Sequence, residues 1–244
     1  KKFGLYGLIR IAMPMLPEGM QALTNVLLVL LLGNIIYLGL VTIAQKKLDR
    51  MLGYSSVMHM GYVFLGIAAA NHIGVGGAVL LMFAHGISIA LLFALCGWIC
   101  ERFGTVDFDE LGGMAQHLPK LGLLFGFAAF ASAGLPGFAN FAAEVAVFFG
   151  AFQVGSGSLG WFQWTTIIAL WGVVISAVYM LRAYRSLFYG EKLEKAAAPA
   201  DMSWACRIPI LLLLVTLLLV GFVPEILNQF IRPAVEGIFL TTHG

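Results

Sequence analysis

Four titratable residues fall inside apolar sequence, and their types suit proton transfer. Glu144 is the only charge in LGLLFGFAAFASAGLPGFANFAAEVAVFFGAF (121–152). A carboxylate at membrane depth costs at least a few kcal/mol, so a residue of this kind marks a functional site by default. The run Gly134-Leu135-Pro136-Gly137 stands just before it and predicts a helix break. A broken membrane helix beside a carboxylate is a device for moving ions or protons. The alternative is a protonated carboxyl held by a hydrogen bond to a neighbouring helix. His85 lies in the middle of GGAVLLMFAHGISIALLFALCGW (76–98), and His59 lies in YSSVMHMGYVFLG (54–66), nearer the cytoplasmic end. An imidazole titrates near pH ~6.5, which suits a relay; either histidine could instead be neutral and hydrogen-bonded across helices. Lys2 has two readings. It is a solvated end residue, or a mid-membrane lysine able to pass protons near neutral pH.

Lys2, His85 and Glu144, with His59 beside them, describe a polar trail on separate helices. Ser55, Ser56, Ser88 and Asn140 are placed to hold water between them. A hydrated chain of titratable groups is what proton conduction through hydrocarbon requires. Asp49, Arg50 and Glu101 fall at predicted helix ends and read as interfacial.

The elements that position these residues follow from composition. The chain has 244 residues, 61% hydrophobic and 11% charged, with mean hydropathy +0.95. A soluble domain is about a quarter charged, and several apolar runs exceed the ~18 residues that cross a bilayer. The expected fold is therefore an all-α polytopic transmembrane bundle. A net charge of +2 without a basic cluster gives no reason to expect nucleic-acid binding. Cys96 and Cys100 lie one helical turn apart and read as packing, Cys206 stands alone, and no metal site is expected.

Charges and turn residues bound a partial span at 1–14, ended by Pro14 and Pro17. Full spans follow at 22–44, 51–70, 75–99, 119–152, 162–188 and 206–223. The 119–152 segment is too long for one crossing and reads as two half-helices joined at Gly134, Pro136 and Gly137. The tail after Pro224 reads as a short interfacial helix. Loops 45–50, 101–118 and 182–207 carry Lys46, Lys47, Arg50, Arg102, Arg182, Arg185, Lys192, Lys195 and Arg207, with Lys120 just beyond. The other side, 15–21, 71–74, 153–161 and the tail, has Arg232 and the nearby Arg10. The positive-inside bias puts the first set in the cytoplasm and the C-terminus outside. The first residue is not Met, no signal-peptide order is present, and the N-terminus reads as cut part-way along a helix.

The motifs KFGLYGLIR (2–10), AQKKLDRMLGYSSVMHMG (44–61), AHG (84–86), ER (101–102) and GLPGFANFAAE (134–144) resemble the antiporter-like proton-pumping subunits of respiratory complex I, NADH-quinone oxidoreductase. The likeness covers the whole chain in order and is nearest to the chain M type. It implies the C-terminal half of a fourteen-helix subunit. Residues 1–21 then end a truncated helix, and 22–188 form one intact five-helix antiporter-like repeat with its broken helix at 119–152. Residues 189–205 form a cytoplasmic loop, and 206–244 supply the last span and tail. On this resemblance Lys2 is the bridging lysine, His85 the central relay histidine, and Glu144 the charged residue that exchanges protons with the outer side. A glutamate at 144, and no long lateral helix after 223, fit chain M; lysine is usual at that position in the L and N types. Asp49 stands where the family often has lysine, which puts only that lysine's role in doubt.

The resemblance further implies a multi-pass protein of the bacterial inner membrane, in the bilayer beside chains of the L and N type. NADH, FMN, iron–sulfur clusters and quinone would belong to other subunits, and this chain would bind no cofactor and carry no redox site. The sequence holds no nucleotide motif and no cysteine cluster for iron–sulfur. Three rivals remain: a multisubunit cation/proton antiporter subunit, a non-transporting membrane scaffold, and a haem protein using His59 and His85 as axial ligands.

Overall fold

The computed structural model describes residues 2–155, 159–190 and 201–241. The fold is an all-α bundle. Among the described residues the only β-type pairing is an isolated bridge between Lys47 and Asp107.

The first helix runs as α1 (Lys2–Gly7), a π-helical turn (Leu8–Ala12) and α2 (Met13–Met15). Pro14 and Pro17 were expected to end it; the helix passes through Pro14 and stops at Leu16, just before Pro17. Proline removes one backbone N–H and clashes with the carbonyl four residues back. The chain widens to the π turn instead, with Met13 N–H bonding to the Leu8 carbonyl.

Among the described residues five helices are long and apolar enough to cross a membrane: α3 (Pro17–Ile43), α4 (Leu48–Ala68), α5 (His72–Phe103), α9 (Trp161–Phe188) and α10 (Trp204–Phe222). A short α6 (Met114–His117) leads into the two half-helices, α7 (Pro119–Ser132) and α8 (Ala139–Phe152). The chain ends in α11 (Glu225–Thr241). This tail helix packs against the bundle. It buries Val235 and Ile238, and Phe239 sets its ring 4.6 Å from that of His72 at the start of α5.

The break between α7 and α8 is a C-cap followed by a restart. Gly134 takes φ 72°. Its N–H reaches the Ala131 carbonyl at 3.3 Å, and Leu135 N–H reaches the Phe130 carbonyl at 3.1 Å. This pair of bonds is the Schellman motif, which needs a left-handed residue where Gly134 stands. Pro136 cannot donate onward, Gly137 takes φ 99°, and the chain turns helical again at Ala139.

Helix α4 is the centre of the bundle and the most buried of these five helices. It packs on α3, α5, α8 and α9. Asn34 of α3 pins it by donating to the Val57 and Met58 carbonyls at 2.8 and 3.3 Å. Helices α5 and α8 meet through glycine: a Cβ on Gly150 would strike the backbone nitrogen of Gly74. Gly150→Val is therefore expected to force the two helices apart, an overpacking cost of about 1–3 kcal/mol or more. A thermal melt in detergent should show a lower midpoint; an unchanged one would mean that this contact does not seat α8.

The basic loops gather at one end of the bundle. Leu48 N–H bonds to the Val106 carbonyl at 3.0 Å and Phe108 N–H to the Lys46 carbonyl at 2.9 Å. Arg182 donates to the Gln45 carbonyl and lies over the Phe108 ring. Lys120 N–H bonds to Asp201 at 3.2 Å. Residues 191–200, with Lys192 and Lys195, lie outside the described residues. At the opposite end Asn71 caps α5, accepting from Gly74 N–H at 2.7 Å and donating to the Gly150 carbonyl at 2.7 Å.

Candidate functional site

Helix α4 presents Ser55, Ser56, His59 and Tyr62 to its neighbours, a spacing that keeps them on adjoining faces of one helix. His59 is fully buried. Its Nδ1 lies 2.9 Å from the Ser55 carbonyl. A carbonyl only accepts, so Nδ1 carries a proton and donates. The other nitrogen, Nε2, faces Glu144 Oε1 at 3.9 Å. That is ion-pair range, but too long for a direct hydrogen bond.

The chemistry of this pair follows from valence. With Nδ1 protonated, a neutral His59 points a lone pair at Glu144. An ionised carboxylate opposite would repel it in a buried site. One proton must therefore sit either on Nε2 or on the carboxyl. Glu144 is buried on α8, and its Oε2 lies against Gly134 at the helix break. A small movement or one water closes the gap to His59.

His85 of α5 stacks on His59 with ring centroids 4.9 Å apart and planes 18° from parallel. Its Nε2 lies 3.1 Å from Ser56 Oγ. One turn on, Ser88 Oγ donates to the His85 carbonyl at 3.3 Å, and Asn140 Nδ2 of α8 donates to Ser88 Oγ at 3.1 Å. Lys2 places its ammonium beside Gly86, where a Cβ would begin 3.0 Å from Nζ. Lys2 thus reaches the residue next to His85 and is half-buried rather than free in solvent.

The structure brings together Lys2, Ser55, Ser56, His59, His85, Ser88, Asn140 and Glu144. Asn140 joins through Ser88 and makes no hydrogen bond to Glu144 among the described residues. The sequence placed His59 and His85 at different depths; the stack corrects this. Helix α5 has 32 residues, about 48 Å at 1.5 Å each. It outruns a ~30 Å hydrocarbon core, so residue counts from its ends do not convert to depth. The rings lie face to face, which leaves no room between them for the macrocycle that the shared-haem rival needs.

Three buried residues join the site without having been singled out. Tyr62 sets its ring edge-on to His59 at 5.6 Å. Tyr179 of α9 shares a 2.8 Å hydrogen bond with Ser55 Oγ. Ser132, the last residue of α7, is fully buried beside His59. Tyr62 follows His59 by one turn and Ser132 immediately precedes the break, so both positions were legible. Tyr179 sits in an apolar helix and only tertiary packing reveals it. Among the described residues no group of three or more His, Cys, Asp or Glu is placed to hold a metal ion.

A bundle with a broken helix, a buried carboxylate and paired histidines has relatives of known name. The chain is 35% identical over 244 residues to NADH-quinone oxidoreductase subunit M of Rhodobacter capsulatus, covering 100% of this chain and 46% of that protein. It is 36% identical over 257 residues to NAD(P)H-quinone oxidoreductase chain 4 of Acaryochloris marina, covering 97% and 47%. The chain thus spans about half the length of the curated relatives it matches. Its structure is similar to a chain of respiratory complex I from Thermus thermophilus, with TM-score 0.89, 30% identity, and 100% and 50% of the two chains covered. A chain of the Mrp complex from a Dietzia species shares the fold at TM-score 0.85 and 20% identity, covering 98% and 51%. Residues 1–176, which hold every residue of the buried trail except Tyr179, match the model of one family, described as NADH:quinone oxidoreductase/Mrp antiporter, TM, and the chain belongs to it.

Proposed function

We propose that this chain is part of a membrane-arm subunit of NADH-quinone oxidoreductase, and that it moves protons as quinone is reduced elsewhere in the complex. One observation carries the reading: His85, His59 and Glu144 stand in line across three helices, with 4.9 Å between the rings and 3.9 Å from His59 to the carboxylate. Lys2 receives a proton from the part of the relatives' length that this sequence does not match. His85 accepts it and, through Ser56 and water, passes it to His59. His59 gives it up from Nε2 to Glu144, which releases it at the break formed by Gly134, Pro136 and Gly137. Unpaired backbone groups at such a break are tolerated where they line a hydrated cavity.

In this reading residues 22–188 are the working repeat, and 206–244 close it on one side. The neighbours are chains of the L and N type, in a bacterial inner membrane with the C-terminal helix outside. The redox groups, NADH, FMN, iron–sulfur clusters and quinone, are handled by those other parts of the complex. A second reading, a subunit of a multisubunit cation/proton antiporter, draws on the shared fold with the Mrp chain.

His59→Phe separates these readings from a passive scaffold. Phenylalanine keeps a ring between Tyr62 and His85 but carries no proton. Proton uptake by membrane vesicles, with NADH oxidation followed in parallel, is expected to fall about a hundredfold, the lower end of what a positioned acid–base group contributes. Normal uptake at unchanged assembly would leave the scaffold reading standing. Uptake that requires sodium would favour the antiporter.

A further inference from the structure

A cavity of about 300 Å³ between α5, α8 and α11 takes no part in the proton path. Its lining changes character along its depth. The mouth is set by His72, where α5 begins, and by Asn228, Arg232 and Glu236 of α11. Below them the walls are apolar, formed by Gly76 and Leu80 of α5 and Ala146 of α8. From His72 to Leu80 is about 12 Å along the helix. A polar mouth at the end of a membrane helix, over an apolar slot running inward, has the outline of a phospholipid.

The charges at the mouth choose the headgroup. Arg232 already lies 3.0 Å from Glu225, so its positive charge is shared. Glu236 is exposed and has no ion pair among the described residues. The mouth therefore offers a carboxylate to a cation and a partly compensated guanidinium to a phosphate. An ethanolamine headgroup supplies both charges, and its primary ammonium donates hydrogen bonds to the carboxylate, which the quaternary nitrogen of choline cannot. A glycerol headgroup supplies a phosphate only and leaves Glu236 facing a net anion.

We propose that this cavity seats one ethanolamine phospholipid, with its ammonium on Glu236, its phosphate at Arg232 and His72, and the upper part of one acyl chain along Gly76 and Leu80. The lipid then fills the space under α11 and holds that helix against α5 and α8. A Cβ on Gly76 would stand 3.9 Å from Ile231 and meet no backbone, so a larger side chain there enters the slot without disturbing the fold.

The test is photolabelling in membranes that carry the assembled complex. Ethanolamine and glycerol phospholipids, each with a photoactivatable acyl chain, are incorporated and the labelled peptides mapped. The ethanolamine probe is expected to label 73–80 and 142–146 several-fold more than the glycerol probe. Gly76→Leu should abolish that label, and Glu236→Gln should bring it down to the glycerol level. Equal labelling by both probes would mean an adventitious lipid only and overturn the headgroup assignment. An unlabelled slot, with α11 cross-linked to another polypeptide, would mean that protein covers it and overturn the lipid altogether. None of these residues belongs to the proton path, so either failure leaves that reading untouched.

Discussion

Glu144→Gln should stop proton movement and leave the protein as stable as before, or more so. The two readouts are tied to one cause. Ionising a carboxyl this deeply buried, with His59 at 3.9 Å as its one ion-pair partner among the described residues, costs several kcal/mol of desolvation. Glutamine has nearly the same shape and no charge, so it relieves that cost. It also cannot exchange a proton with His59. A structural carboxyl behaves differently: losing it breaks a hydrogen bond, destabilises the fold and leaves transport intact. Proton uptake by vesicles and a melting curve on the same preparation decide between them. Continued pumping by an assembled Glu144→Gln complex would remove Glu144 from the path. Glu144→Asp should fall between, because it titrates but withdraws by one methylene from a gap that is already long.

Gly134→Ala is expected to do comparable damage from the other side of the carboxylate. Gly134 sits at φ 72°, in the left-handed region. A side chain there costs roughly 1–2 kcal/mol in backbone strain alone. The added methyl would also run into Glu144 Oε2, and the carboxylate would have to turn away from His59. Lower stability and lost proton uptake should therefore appear together. Leu135→Ala, one residue on and exposed, should show neither. A double-mutant comparison separates strain from collision. In a Glu144→Ala background the collision is gone, so Gly134→Ala should lose only the strain contribution. An equal stability loss in both backgrounds would show that the methyl never reached the carboxylate.

Much of this arrangement was legible because a membrane imposes simple rules. Glu144 stood out as a lone charge in an apolar run, and the Gly-Leu-Pro-Gly segment before it announced the break. The spans fell within a few residues of the observed helices, since contiguous apolar length is what the bilayer demands. The pairing of His59 with His85 was not legible: it depends on how a 21-residue and a 32-residue helix are offset and tilted. Tyr179 was hidden because a tyrosine in an apolar helix is compatible with packing alone. Pro14 sits inside its helix, in the last turn, because the backbone widens to a π turn ahead of it. The docking of α11 was missed because the same amphipathic pattern serves a membrane surface and a protein surface equally well.

The crowding around α4 also says something about time. Ser55, Ser56, His59 and Tyr62 all ride on this one cylinder, so rolling it by one residue, ~100°, would disconnect every contact at once. That roll is blocked. Gly61 fits against Ile35, Gly66 against the Gly74 carbonyl, and Asn34 grips two α4 carbonyls. Whatever cycles on α4 therefore cycles by side-chain rotation and not by displacement of the whole helix, a motion of microseconds to milliseconds. The slow events that set the pace then have to arise outside α4, which is the stationary frame around which they occur.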